Sequence, residues 1–124
     1  VGIARATGVA GYLGDGSNRW PAVHRLDSAH LFRLAVEHAP AGSTLHAVAD
    51  EGVPFRDIAA LMGRHLNVPV EAIQADKAGE HFTWLAGFVG IDSPASSAIT
   101  RPSFVPVKMR ARHNALSGAC VSAQ

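Results

Sequence analysis

Residues 14–29, which read GDGSNRWPAVHRLDSA, contain the features that decide the local fold. The Gly-Asp-Gly sequence at 14–16 predicts a turn, because these residue types adopt turn conformations at low cost. Pro21 disfavours a helix just before it, so we expect a short extended segment at 22–25. Asp27 suits the N-cap of a helix, since its carboxylate can accept a hydrogen bond from a free backbone N–H.

The helix that follows is predicted over 28–38 by the spacing of its apolar residues. Apolar side chains recur three or four positions apart on one face, which is typical of an amphipathic helix that buries that face. The residues expected to point inward are Leu31, Phe32, Ala35 and Val36, and those expected to face solvent are His30, Arg33 and Glu37.

The rest of the chain alternates between strand and helix patterns, which is typical of an α/β fold. We therefore expect short strands covered by about three helices. Beyond Arg101 the periodicity is lost, and we interpret 102–124 as a poorly ordered tail. Further strands are predicted at 9–13, 44–49 and 68–73, and further helices at 54–66 and 76–89. The inward residues of these two helices are expected to be Phe55, Ile58, Ala59, Met62 and Leu66, and Phe82, Leu85, Ala86 and Val89.

The polar and aromatic residues Asn18, Arg19 and Trp20 are the best candidates for binding. They follow a turn, and loops at strand ends commonly carry binding groups. Arg19 can hold a phosphate or carboxylate through two parallel hydrogen bonds, and Trp20 can stack on a flat ring. A structural role is equally compatible with the sequence, with Trp20 packed at the edge of the core and Arg19 in water.

The segment from Thr7 to Gly14 has the spacing TGxxGxxG, which lets a backbone approach a dinucleotide pyrophosphate. Such a loop requires a strand before it and a helix after it. Here residues 4–6 favour a strand poorly, and the Gly and Pro residues of 15–21 prevent a helix. We interpret the glycines as part of a strand and a turn, and we predict no cofactor-binding residue in this chain.

Catalytic and metal-binding patterns are also missing. Tyr12, the tyrosine of the chain, is followed four positions later by Gly16, so there is no YxxxK pair in which a lysine lowers the pKa of a phenol. The seven histidines lack ligand spacing, no GxSxG nucleophile elbow occurs, and Cys120 lies in the predicted tail. We predict no catalytic residue and no metal site.

Composition narrows the class of protein further. The chain has 124 residues, 48% of them hydrophobic and 17% charged, which suits one packed domain. A net charge of +1 without a basic stripe argues against nucleic acid as a partner. No apolar stretch reaches about 18 residues, so we expect no membrane span. A single cysteine fits a reducing compartment, and we predict a cytoplasmic protein.

The ordered set of segments resembles the C-terminal, substrate-binding portion of the extended short-chain dehydrogenases/reductases, the NAD-dependent epimerase/dehydratase family. That family shows a Gly-rich turn, an Arg, and an aliphatic-His-x-x-Asp run before a helix, and the segment from Val23 to Asp27 matches the run. The sequence looks closest to a bacterial branch with an Asn-Arg-Trp-Pro-Ala-Val-His block and a later Trp-Leu-Ala-Gly-Phe helix, which begins here at Trp84. We assign residues 1–101 to this portion.

The resemblance implies a parent protein with a Rossmann-type α/β fold and NAD(P)-dependent oxidoreductase or epimerase activity on a small hydroxyl, carbonyl or sugar-like substrate. A missing N-terminal Rossmann domain would bind NAD or NADP and hold the catalytic Tyr and Lys. In this chain Asn18, Arg19, Trp20 and His24 would line the substrate pocket. The chain alone is then expected to be inactive and to bind no cofactor tightly.

Departures from the family pattern leave alternatives open. In sugar-nucleotide epimerases the Arg precedes the His by four residues, whereas Arg19 precedes His24 by five and Trp20 takes its place, which argues against a nucleotide-sugar substrate. The closing Leu-Gly-Trp-x-Pro segment of the family is missing after Arg101. One alternative is a stand-alone binding or dimerisation module that uses an exposed apolar surface. Another is a truncated gene product without a selected function.

Overall fold

A computed structural model describes residues 1–100 as a mixed α/β fold, so the predicted class is confirmed. Residues 101–124, which include the tail predicted at 102–124, lie outside the described residues. The helices are α1 (Gly2–Thr7), α2 (Arg25–His38), α3 (Phe55–Leu66), α4 (Ala78–Phe82) and α5 (Ala86–Val89), and the strands are β1 (Ala10–Leu13), β2 (Arg19–Ala22), β3 (Asp50–Pro54) and β4 (Val70–Ile73). One-turn 3-10 helices at Ala75–Lys77 and Thr83–Leu85 flank α4.

The four strands form two separate pairs. β1 and β4 are parallel, with Ala10 opposite Val70, and β2 and β3 are antiparallel, with Trp20 opposite Val53. α3 lies in the long connection that the strands of a parallel pair require. The strands predicted at 9–13 and 68–73 and the helix predicted at 54–66 are confirmed to within two residues at each end.

The extended segment predicted at 22–25 is wrong by several residues. The strand is Arg19–Ala22 and contains Pro21, and Arg25 is already helical. A proline lacks the N–H that a central strand needs, but it is tolerated in a two-stranded sheet because each strand there has a free edge. The pairing register shifts between Trp20 and Ala22, on either side of the proline.

The strand predicted at 44–49 is also wrong, because β3 begins at Asp50. The segment is a loop, and backbone N–H groups within it bond to other parts of the described chain rather than forming a β-ladder. The His46 N–H donates to Thr100 Oγ1 at 2.8 Å, and the Ala49 N–H donates to the Ala22 carbonyl at 3.0 Å. Val48 and Ala49 are buried without strand geometry, so the apolar pattern reports core packing rather than a strand.

α2 buries only part of the face predicted to point inward, because Leu31 is buried and Ala35 half-buried while the other two positions are exposed. Leu31 is its buried residue, whereas Phe32 and Val36 are 68% and 87% exposed. Five residues along a helix correspond to roughly 140° of rotation, so Leu31 and Val36 cannot both lie at the centre of one face. The helix therefore leaves an apolar flank on the surface of the described chain.

The third predicted helix, at 76–89, is broken into pieces. Thr83 ends α4 with φ 51° and ψ −121°, a conformation that an α-helix cannot continue through. The glycines at 79 and 87 further weaken a long helix here. The inward positions are nevertheless confirmed, because Phe82 and Val89 are buried and Leu85 and Ala86 are half-buried.

The core lies where α3, α4 and α5 meet β1. Its buried cluster consists of Phe55, Ala78, Phe82 and Val89, and partly buried side chains that include Tyr12 and Trp20 pack around it. The Trp20 and Phe55 rings meet edge to face, with centroids 5.0 Å apart and planes at 72°, a favoured arrangement for aromatic pairs. This contact fixes the start of β2 to the first turn of α3.

Gly63 allows α3 to approach β4 closely. A Cβ at this position would lie 2.3 Å from Val70 Cγ2 and 3.1 Å from the Val68 carbonyl oxygen. Valine is stiff about its first side-chain torsion, so it cannot yield freely. The glycine is therefore required by packing, even though it weakens the helix that contains it.

We predict that Gly63→Ala destabilises the chain by about 1–2 kcal/mol in urea unfolding, because overpacking outweighs the gain in helix propensity. The matched change Gly79→Ala in α4 places its Cβ in open space and should stabilise by about 0.5–1 kcal/mol. In a Val70→Ala background, Gly63→Ala should lose its penalty. Equal effects of Gly63→Ala and Gly79→Ala would contradict the packing explanation.

Candidate functional site

The predicted binding residues lie at the start of β2, where they contact the segment 89–93 that follows α5. The turn that precedes them is fixed by α3: the N–H groups of Arg56 and Phe55 donate to the carbonyl oxygens of Gly16 and Asn18, at 3.1 and 2.8 Å. Those N–H groups belong to the first turn of α3 and have no partner inside the helix. The turn and the helix start therefore hold each other in place.

Arg19 forms a two-pronged ion pair with Asp92. Its Nε and Nη2 atoms lie 3.1 and 2.8 Å from the two carboxylate oxygens, and its backbone N–H donates to Oδ1 at 2.7 Å. These hydrogen bonds, led by the guanidinium, lower the pKa of the Asp92 carboxyl from 3.8 to about 2. The pKa of Arg19 is raised by the same contact. Both side chains are about half exposed.

Asn18 and Trp20 hold the neighbouring carbonyl groups of the same segment. The Asn18 side-chain amide donates to the Val89 and Ile91 carbonyls at 2.9 and 3.3 Å, and Trp20 Nε1 donates to the Ile91 carbonyl at 3.0 Å. The last carbonyls of a helix have no partner inside it, and Val89 is the final residue of α5. These two side chains therefore complete the end of α5.

His24 has a local role at the start of α2. It is the N-cap residue, and its Nδ1 accepts a hydrogen bond from the Leu26 N–H at 3.3 Å. Asp27, predicted as the N-cap, instead lies in the first turn, where a carboxylate is favourable near the positive end of the helix dipole. The structure thus brings Asn18, Arg19 and Trp20 together around 89–93 and gives His24 a separate contact.

Sequence reasoning missed the partners of these residues. Asp92 lies 73 positions from Arg19, and nothing in its loop sequence marks it as an ion-pair partner. Phe88 and Ile91, which are 60% and 49% exposed, were also missed as candidate binding residues. The sequence signal for these contacts was the cluster of polar side chains at 18–20. It indicates that hydrogen-bond partners exist but not where they lie in the chain.

Two cavities border Trp20. The first, which we call the ring groove, has a volume of about 260 Å³ and is lined by Trp20, Pro21, Phe88, Ile91 and Ser93. The second, the inner cavity, has a volume of about 280 Å³ and lies among α1, β1, α3 and α4. Both are lined mainly by apolar side chains, so either could hold a small apolar molecule.

His81 borders the inner cavity with an unsatisfied nitrogen. Its Nε2 is buried and has no hydrogen-bond partner among the described residues, and its ring meets Phe82 edge to face at 4.7 Å. The nitrogen lies against Gly11, where a Cβ would come within 2.5 Å of it. The Ile73 side chain lies almost as close, with its Cγ1 2.7 Å from that Cβ, so the imidazole and Ile73 together occupy the space of a side chain at position 11.

The TGxxGxxG segment does not have the geometry of a dinucleotide loop. Gly8, with φ 72°, ends α1. Gly11 lies inside β1, and Gly14, with φ 60°, lies in the turn that leads to β2. A helix therefore precedes the segment and a strand follows it, the reverse of the required order. The interpretation of these glycines as part of a strand and a turn is confirmed for Gly11 and Gly14 and is wrong for Gly8, which caps a helix.

Residues 1–100 contain neither a cluster of metal ligands nor a membrane-spanning helix. In that range no three His, Cys, Asp or Glu residues lie close enough together to hold a metal ion. None of the helices within it is both long enough and apolar enough to cross a lipid bilayer.

Comparison with known proteins gives two relatives. An uncharacterized protein of Schizosaccharomyces pombe is 46% identical over 101 residues, which make up 82% of this chain and 34% of the relative. An uncharacterized protein of Saccharomyces cerevisiae is 50% identical over 101 residues, with the same coverage of 82% and 34%. The chain thus spans about a third of the length of the curated relatives it matches. No family model matches, and no solved structure does.

The lowered pKa of Asp92 predicts a pH dependence of stability. Above pH 3.8 the carboxylate is ionised in the folded and unfolded chains, and the pair contributes fully. As the pH falls towards about 2, the unfolded chain binds the proton first and this contribution is lost. Urea midpoints of wild type and Asp92→Asn should therefore differ most at neutral pH and converge on acidification.

The control for this series is Asp76→Asn, at an exposed carboxylate outside the contact. It should leave the pH profile of the wild type unchanged. A constant difference between wild type and Asp92→Asn across the whole pH range would show that the ionised pair does not stabilise the fold.

Proposed function

We propose that this chain is the substrate-binding portion of an NAD(P)-dependent oxidoreductase or epimerase of the extended short-chain dehydrogenase/reductase type, acting in the cytoplasm on a small hydroxyl, carbonyl or sugar-like substrate. One observation carries the proposal. The two blocks that underlie the resemblance, Asn18 to His24 and Trp84 to Phe88, are far apart in sequence. The first contacts the residues directly after the second, so that Trp20 and Phe88 line one groove.

The groove that these blocks build would be one wall of a pocket. Tyr12 packs against the core, and no lysine lies four positions after it, so the wall itself lacks the proton-transfer pair. The proposal assigns that pair, and the site for NAD or NADP, to a Rossmann domain elsewhere in a longer product. The threefold greater length of the two fungal relatives is compatible with such a domain.

A second candidate function is a stand-alone binding or dimerisation module. It is favoured by the apolar flank of α2, where Phe32 and Val36 are 68% and 87% exposed. Clustered exposed apolar side chains mark interaction surfaces in proteins. On this reading the flank would pair with a second copy of the chain, and no cofactor would be involved.

The main proposal predicts that cofactor binding requires the longer product. In titration calorimetry the 124-residue chain should bind neither NADH nor NADPH tightly, because it lacks a strand–loop–helix dinucleotide site in its described part. A product that includes the in-frame upstream region should bind one of them. Tight binding to the 124-residue chain would contradict the proposal, and so would an upstream frame without a TGxxGxxG-to-YxxxK region.

The dimerisation alternative predicts a dimer in sedimentation velocity that Val36→Lys disrupts, because a charge would then be buried in the interface. The matched control Glu37→Lys alters a neighbouring exposed side chain that points away from the flank, and should leave the dimer intact. A monomeric wild type that binds no hydrophobic dye would count against this alternative.

A further inference from the structure

The polar groups expected to recognise a substrate are already engaged within the chain. The Arg19 guanidinium faces the Asp92 carboxylate, the Asn18 amide holds two carbonyl groups, and the Trp20 N–H holds one. A phosphate or a sugar would have to displace these contacts before it could bind to the same donors. Because Arg19 and Asp92 carry opposite charges at contact distance, they also present little net charge to an anion.

The surface left open beside these contacts is apolar. The ring groove offers the indole of Trp20, the ring of Pro21, and the side chains of Phe88 and Ile91. Among the residues that line it, Ser93 carries a side-chain hydroxyl, while the Trp20 N–H is already bonded. The groove therefore presents an apolar surface with one side-chain hydrogen-bonding group, the Ser93 hydroxyl.

The groove is also held in shape before any ligand arrives. Its two sides, β2 and the segment 89–93, are joined by the Trp20 hydrogen bond and by the bond from the Ser93 N–H to the Arg19 carbonyl at 2.9 Å. A preformed site avoids the entropy cost of ordering loops on binding. Its volume of about 260 Å³ exceeds the roughly 150 Å³ of an engineered apolar cavity that binds benzene.

We infer that the ring groove binds an apolar, ring-containing alcohol or carbonyl compound that lacks a phosphate, with Phe88, Ile91 and Trp20 as the residues that determine specificity. The inference rests on the proposed function, because it names the substrate class of that same wall. This substrate class differs from that of enzymes that bind nucleotide-sugars, because the Arg19 guanidinium is already paired with Asp92. Ser93 lines the groove and supplies a hydroxyl group that can hydrogen-bond to the oxygen of such a ligand.

The test uses the 124-residue chain and 2-naphthol, a flat apolar alcohol, in a titration followed by the indole N–H signals in nitrogen-15 NMR. Trp84→Phe assigns the two indole signals. The Trp20 signal should shift saturably. Phe88→Ala should weaken binding about tenfold, because one apolar contact surface is removed from the groove. Phe32→Ala, which removes an equally exposed phenyl ring on α2, should not change the affinity.

Three outcomes would overturn the inference. One is no saturable shift of the Trp20 signal at low-millimolar 2-naphthol. Another is an equal loss of affinity in Phe88→Ala and Phe32→Ala, which would indicate non-specific adsorption. The third is saturable binding of UDP-glucose at Trp20 that Arg19→Ala abolishes. Since this experiment contains no NAD(P)H, its failure is distinct from a failure of the proposed function, which cofactor binding and the upstream reading frame decide.

Discussion

The ion pair between Arg19 and Asp92 joins two segments that are 73 residues apart, and much of the described structure depends on that junction. Alone, a half-exposed pair contributes modestly to stability. Here it acts together with the Asn18 and Trp20 hydrogen bonds, which satisfy carbonyl groups at the end of α5. The main effect of the cluster is therefore to set the path of the chain after α5. Its contribution to the free energy of unfolding is smaller.

The same segment ties this junction to the core. The Trp20 indole donates to the Ile91 carbonyl on one side and packs against Phe55 on the other. Phe55 is both a core residue and the first residue of α3. The first N–H groups of α3, which have no partner inside the helix, donate to carbonyl oxygens of the turn that precedes β2. One short stretch of sequence thus orients α3 and the end of α5, and the proposed pocket wall lies between β2 and that end.

Sequence reasoning succeeded where local pattern and tertiary environment agree. In α3 the apolar spacing, the proline before it and the packing against β1 all favour the same helix. It succeeded in α2 for Leu31 and Ala35 but failed for Phe32 and Val36, because the core lies on the side of Leu31. It also failed at 44–49, where burial of Val48 and Ala49 comes from loop packing, and across 76–89, where the backbone at Thr83 interrupts a plausible helix.

The sequence singles out the cluster at 18–20 as a candidate site but does not reveal the contacts of its side chains. The side chains at 18–20 lie together in the fold, yet their hydrogen-bond partners lie in a remote loop that no local pattern connects to them. A two-pronged arginine has the same appearance in sequence whether it binds a ligand or an aspartate of its own chain. Only the fold distinguishes the two.

The contact between Gly11 and His81 has a consequence for how such sequences can diverge. The imidazole and the Ile73 side chain together fill the space that any other residue at position 11 would need, so positions 11, 73 and 81 are sterically linked. A lineage that gains a side chain at position 11 must first make room at both of the other positions. Substitutions at these three sites are therefore expected to be correlated through evolution, and the order in which they can occur is constrained.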